Sequence, residues 1–173
     1  MYNPATMDHL WTPWRMPYLQ GKEPLPTDCL FCVKPQEPDV EAHIVHRGEF
    51  AYVILNRFPY NNGHLMVAPY AHVATLEDLK AETAAELMAL TQLTLSVLRE
   101  AYHPEGFNVG ANIGSAAGAG VADHVHVHVV PRWAGDTNYM STIGKTRVIP
   151  EWIDETYEQL RPLFDEKSET QGE

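Results

Sequence analysis

Between residues 124 and 130 the chain reads His-Val-His-Val-His-Val-Val, and no other stretch restricts its folding as tightly. An extended strand sends successive side chains to opposite faces. Val125, Val127 and Val129 can therefore enter a core while His124, His126 and His128 line the reverse side. Pro131 ends the run, since proline cannot donate to a ladder. Two kinds of chemistry suit such a face. A metal cage is one, because H-x-H on a strand brings two imidazoles to one zinc. Same-face neighbours start about 6.6 Å apart, however, so three unequal roles suit this spacing better than one shared ion. Nucleophilic catalysis is the other: a neutral imidazole attacks phosphorus when an acceptor orients its second nitrogen. The middle residue, His126, is the best flanked.

The rest of the chain predicts what packs around that strand. Residues 49–56, EFAYVILN, are rich in strand formers, 57–63 supply a turn, and HLMVAP at 64–69 reads as a second strand, giving an antiparallel hairpin. Thr83 and Glu86 have capping-box spacing, and Leu87, Leu90, Thr94, Val97 and Leu98 recur at helical spacing down to His103-Pro104. GFNVGANIG at 106–114 alternates, with Phe107, Val109, Ala111 and Ile113 on one face. GSAAGAG at 114–120 is a small-residue loop able to present backbone N–H groups, among them those of Gly118 and Gly120, to a phosphate. Pro150 fits the first turn of a C-terminal helix with Ile153, Tyr157 and Leu160 buried, until Pro162 disturbs it. The pattern predicts an α+β domain around an antiparallel sheet. It spans 29–164, after an irregular aromatic arm at 1–28 and before a disordered tail at 165–173.

With 12 Lys and Arg against 23 Asp and Glu, the net charge of −11 disfavours a nucleic-acid partner. Small phosphate esters remain open to it, because local donors such as Arg132, Lys145 and Arg147 can override the global charge within a pocket. No apolar run approaches the roughly 20 residues needed to cross a bilayer. The opening MYNPATMDHLWTPWRM lacks the pattern of a secretory signal, which predicts a cytoplasmic protein. In a reducing compartment the two cysteines, Cys29 and Cys32, point to metal binding or redox chemistry. The redox reading is weakened because C-L-F-C lacks a βαβ context and begins no obvious helix. The metal reading needs two further ligands.

The run from His124 to Val130 resembles the motif of the histidine triad (HIT) superfamily, and Asn56, Gly63-His64 and Asn112 stand in family-like positions. The similarity extends from about Leu10 to Glu151. Within the superfamily, LWTPWRMPYL near the start and PRWAGDTNYMSTIGKTRVIPE after the triad resemble the bacterial diadenosine tetraphosphate phosphorylases. The resemblance implies a HIT-like fold: a five-stranded antiparallel sheet with a long amphipathic helix and a C-terminal helix. It implies a nucleotidyl intermediate on His126, whose other ring nitrogen is held by the carbonyl of His124. His128 would help the leaving group depart, and His64 would support the cluster. Asn56 would bind ribose, a reading favoured over that of a turn asparagine before Arg57. Asn112 would contact phosphate, and Trp133 would stack on a base or simply fill the core. It further implies a structural Zn²⁺ on Cys29, Cys32, His72 and His124, a small nucleotide substrate, and a homodimer. Ala119-Gly120-Val121 departs from relatives that carry a hydroxyl residue just before the triad, which affects the leaving group and the acceptor. Phosphorolysis of diadenosine tetraphosphate is the expected reaction. Nucleoside phosphoramidase or adenylylsulfatase activity, or a non-catalytic nucleotide-binding module stabilised by zinc, are the alternatives.

Overall fold

Ile44–Arg47 (β1), Ala51–Leu55 (β2), Leu65–Pro69 (β3), Gly106–Gly110 (β4) and Val127–Arg132 (β5) form one antiparallel sheet in the order β1-β2-β3-β5-β4. The computed structural model describes residues 29–136 and 151–171; the aromatic arm, Lys145, Arg147 and Pro150 lie outside them. The strand not read directly from the residues is β1, only four residues long and entered through a left-handed His43. Short one-turn helices, Leu30–Val33 (α1) and Asp39–Ala42 (α2), lead into it. Ala81–Tyr102 (α3) and Ile153–Gln171 (α4) are the long helices. No helix among the described residues is long and apolar enough to cross a membrane.

Strands β2 and β3 are buried at every position, which explains why their sequences alternate weakly. On one side of the sheet Val53, Leu65, Val67 and Val129 pack against Leu87, Leu90, Val97 and Leu98 of α3 and Leu160 and Phe164 of α4. On the other, Phe31, Ile44, Tyr52, Ile54, Met66 and Ala68 form a second core. The buried Tyr52 hydroxyl donates to the Phe31 carbonyl at 2.8 Å and ties α1 to that face.

Several expectations give way to tertiary contacts. The capping box at Thr83 and Glu86 does not form: the N-cap lies three residues earlier, at Lys80, and α3 starts at Ala81 without a side-chain cap. Glu86 instead accepts the backbone N–H groups of Glu49, Phe50 and Ala51 at 2.8, 2.5 and 2.8 Å, fastening the β1–β2 turn to the helix. Gly48 makes room for it, since a Cβ there would stand 2.7 Å from Glu86 Oε1. The alternation at 106–114 does not mark a buried face. β4 ends at Gly110, and Val109 and Ile113 are 47% and 38% exposed, because among the described residues β4 pairs only with β5, at the sheet edge. The C-terminal helix passes through Pro162 and continues to Gln171, so residues 165–171 are helical rather than disordered. Leu160 and Phe164 are fully buried while Pro162 faces outward, and this burial offsets the roughly 3 kcal/mol that an internal proline costs. Lys167 pairs with Glu100 of α3 at 2.7 Å and holds the last turns.

Candidate active site and metal centre

Ladder pairing in β5 starts only at Val127, so His124 to His126 precede the strand rather than belonging to it. The backbone there is held in place because the Val125 N–H donates to the Val73 carbonyl at 2.7 Å. Val125 and Val129 are buried as the alternation requires, and His124 and His126 both pack against Phe31 on the opposite side.

Cys29 caps α1 and Cys32 lies within it, so one helical turn places both sulfurs on the same side. The C-x-x-C motif therefore does begin a helix, contrary to expectation. The Sγ of Cys29 lies 3.3 Å from His124 Nδ1, and that of Cys32 lies 3.3 Å from His72 Nδ1 and 3.6 Å from His124 Nδ1. All four donor atoms fall within 4.8 Å of one another. A tetrahedral ion with usual Zn–S and Zn–N bonds sets sulfur and nitrogen about 3.6 Å apart, so the cluster is pre-shaped for one metal ion. His124 is fully buried, and its Nε2–H donates to the Pro69 carbonyl at 2.8 Å, which leaves Nδ1 as the ligand. Burial first, and then the neighbouring Cys29, push the Cys32 thiol above its ordinary value. A divalent cation would act in the opposite direction by binding the thiolate.

The catalytic candidates are joined by directional hydrogen bonds that fix their tautomers. The Nδ1–H of His126 donates to the His124 carbonyl at 2.9 Å, so Nε2 carries the lone pair. Burial, opposed by that carbonyl, lowers the His126 pKa and favours the neutral, nucleophilic ring. The Tyr60 N–H donates to His64 Nδ1 at 3.0 Å, which puts the His64 proton on Nε2. That proton points to His128 Nδ1, 3.0 Å away, so His128 carries its own proton on Nε2. The His126 and His128 rings stand edge to face with centroids 4.8 Å apart. One side of the pair thus offers a lone pair and the other a donor.

The remaining expected residues divide. Asn56 is a turn asparagine, its Oδ1 accepting the Phe58 N–H at 2.9 Å, while its Nδ2 approaches His64. Asn112 is half-buried beyond the end of β4, Gly118 is exposed in the left-handed region, and Gly120 is exposed. Trp133 is half-buried, with its backbone N–H 3.2 Å from Asp136. Arg132 is not a phosphate donor in waiting: its guanidinium grips Asp136 through two bonds of 2.6 and 2.8 Å and also reaches Asn108. A cavity of about 490 Å³ opens between the β2–β3 turn and the start of α4. It takes in Asn56 and His64, while His126 lies outside its lining. Sequence reasoning missed Phe31, Tyr60, Asn61 and Asp136. Phe31 could have been noticed as the apolar residue inside C-L-F-C; Tyr60 acts through its backbone N–H, and Asn61 and Asp136 through side-chain bonds between distant segments, which leave no pattern.

The HIT domain family model matches residues 37–135. The AP-4-A phosphorylase of Mycobacterium tuberculosis is 46% identical over 158 residues, covering 87% of this chain and 80% of that protein. An adenylylsulfatase of Arabidopsis thaliana is 29% identical over 119 residues, 68% of this chain and 58% of that protein. Among solved structures, a Zn-bound histidine triad family protein from Mycobacterium smegmatis superposes with a TM-score of 0.65 at 29% identity, over 83% of this chain and 97% of that one.

Proposed function

Since the chain belongs to the HIT domain family, we propose that it is an enzyme that cleaves dinucleoside polyphosphates by transferring a nucleotidyl group to His126 and then to an acceptor. The carrying observation is the pair of opposed tautomers: a lone pair on His126 Nε2 beside a donor on His128 Nε2. The His126 lone pair attacks the α-phosphorus, the bond to the bridging oxygen breaks in line, and the His128 N–H meets the departing oxygen. As the ring becomes positive, its Nδ1–H bond to the His124 carbonyl strengthens, a preorganised stabilisation of the transition state. Attack by the acceptor on the same phosphorus then returns His126 to its neutral form. His64 holds His128, Asn56 contacts ribose through Nδ2, Asn112 and the Gly118–Gly120 amides receive phosphoryl oxygens, and Trp133 lies against a base. Cys29, Cys32, His72 and His124 hold a zinc ion that stabilises the fold and takes no part in the reaction.

The substrate is diadenosine tetraphosphate and the acceptor inorganic phosphate, giving ADP and ATP, a reading supported by the similarity to the mycobacterial phosphorylase. Chromatography of products over a phosphate titration tests it. ADP should form in proportion to phosphate, and His126→Ala should abolish turnover while retaining nucleotide binding. Steady AMP that ignores phosphate would mean that water is the acceptor. Turnover only of adenosine 5′-phosphosulfate would favour the second reading, motivated by the adenylylsulfatase relative.

A further inference from the structure

The β3–β5 ladder is short. It runs from Val67 opposite Val127 to Leu65 opposite Val129, and His64 lies one residue beyond its end. Yet the His64 ring must meet the His128 ring of the neighbouring strand at 3.0 Å for the donor on His128 to be defined. Asn61 closes this gap. Its carbonyl accepts the His64 N–H at 3.2 Å. Its Nδ2 donates to the Pro131 carbonyl of β5 at 2.9 Å and to Asp136 Oδ2 at 2.9 Å. A carboxamide nitrogen carries two hydrogens, so both are used and the side chain has one orientation. Asp136 is itself locked, with its side chain only 9% exposed and gripped by the Arg132 guanidinium of β5 through two bonds. Asn61 is next to Tyr60, whose N–H sets the His64 tautomer.

We propose that Asn61 and Asp136 are positioning residues that pin the β2–β3 turn to the end of β5 and thereby keep the proton of His128 on Nε2, where the leaving group departs. This rests on the reading of His128 as donor to the leaving oxygen. Releasing Asn61 lets the turn drift, weakens the Tyr60 to His64 bond, and mixes the His64 and His128 tautomers. Loss of the relay falls on kcat and follows the leaving group, whereas drift of Asn56 in the same turn, or of Trp133 beside Asp136, changes KM alike for every leaving group.

The test uses Asn61→Ala, Asp136→Asn and His128→Ala with two aryl esters of AMP. The 4-nitrophenyl ester leaves without help; the phenyl ester, whose alcohol has a pKa of about 10 like tyrosine, needs a donor. All three variants should lose about ten-fold or more in kcat on the phenyl ester beyond any loss on the nitrophenyl ester, as a lost general acid predicts, while any change in KM is the same for both esters. Long-range ¹⁵N spectra of histidine-labelled protein should show His128 as the Nε2–H tautomer in the native chain and as a mixture in Asn61→Ala. Asn61→Ala removes one neutral donor pair, so it stays readable should Asp136→Asn fail to fold. Equal losses on both esters for Asn61→Ala, with an unchanged His128 tautomer, overturn the positioning role alone. Equal losses for His128→Ala overturn both it and the reading of His128 on which it rests.

Discussion

At the scale of single residues, the most informative position is Gly120, in the loop just before the triad. A Cβ built on Gly120 meets nothing within 4 Å, and Gly120 is not among the glycines at positive φ. Its lack of a side chain is therefore not required by the backbone. We expect Gly120→Ser to fold with stability within about 0.5 kcal/mol of the native chain, as for an uncrowded surface change. The added hydroxyl should lower the phosphate concentration at which ADP replaces AMP among the products. An unchanged product ratio across the phosphate titration would show that the pocket holds phosphate without it. The triad, the four residues of the Cys–His cluster and His64 were legible as residues, because alternation, C-x-x-C spacing and family positions all survive in one dimension. Their tautomers were not, because a main-chain N–H at Tyr60 and a carbonyl at His124 set them, and any residue type supplies those atoms.

At the scale of elements, the capping-box reading shows how a correct residue can be given the wrong partner. Thr83 and Glu86 have the spacing of a helix start, but Glu86 binds three N–H groups of the β1–β2 turn, and the spacing carries no trace of that competition. Glu86→Ala should cost about 2–3 kcal/mol, since hydrogen bonds to a charged group are worth about 1.5–3 kcal/mol and water replaces part of them in this partly exposed turn. Urea denaturation measures it; a loss below about 0.5 kcal/mol would mean the turn needs no fastening. The strands were legible to the extent that one or both faces are buried. β2 and β3 stood out by composition, and the edge strand β4 was over-extended because its apolar residues alternate without a core to enter. The long α4 was cut short at Pro162 because the sequence shows the proline's cost but not the burial of Leu160 and Phe164 that offsets it.

At the scale of the molecule, the metal cluster joins parts that the chain keeps far apart: α1 near residue 30, the segment after β3 at His72, and the approach to β5 at His124. Phe31, packed in that core, and the Tyr52 hydroxyl on its carbonyl also tie α1 to that face. Removing the ion with a strong chelator should lower Tm by on the order of 10 °C. Such a site contributes several kcal/mol, and each is worth about 2–4 °C in a domain of this size. Cys29→Ser should reproduce the loss, and elemental analysis of untreated protein should find one zinc per chain. A chelator-treated chain with unaltered Tm would contradict the structural role. One contact separates this stability from the reaction: what orients His126 is the carbonyl of His124, not its imidazole. Substitution cannot remove a peptide oxygen, so the first position of the triad is open to evolutionary drift as long as its backbone keeps that carbonyl in place. A lineage can gain or abandon the metal there by changing one side chain and inherit the same nucleophile either way.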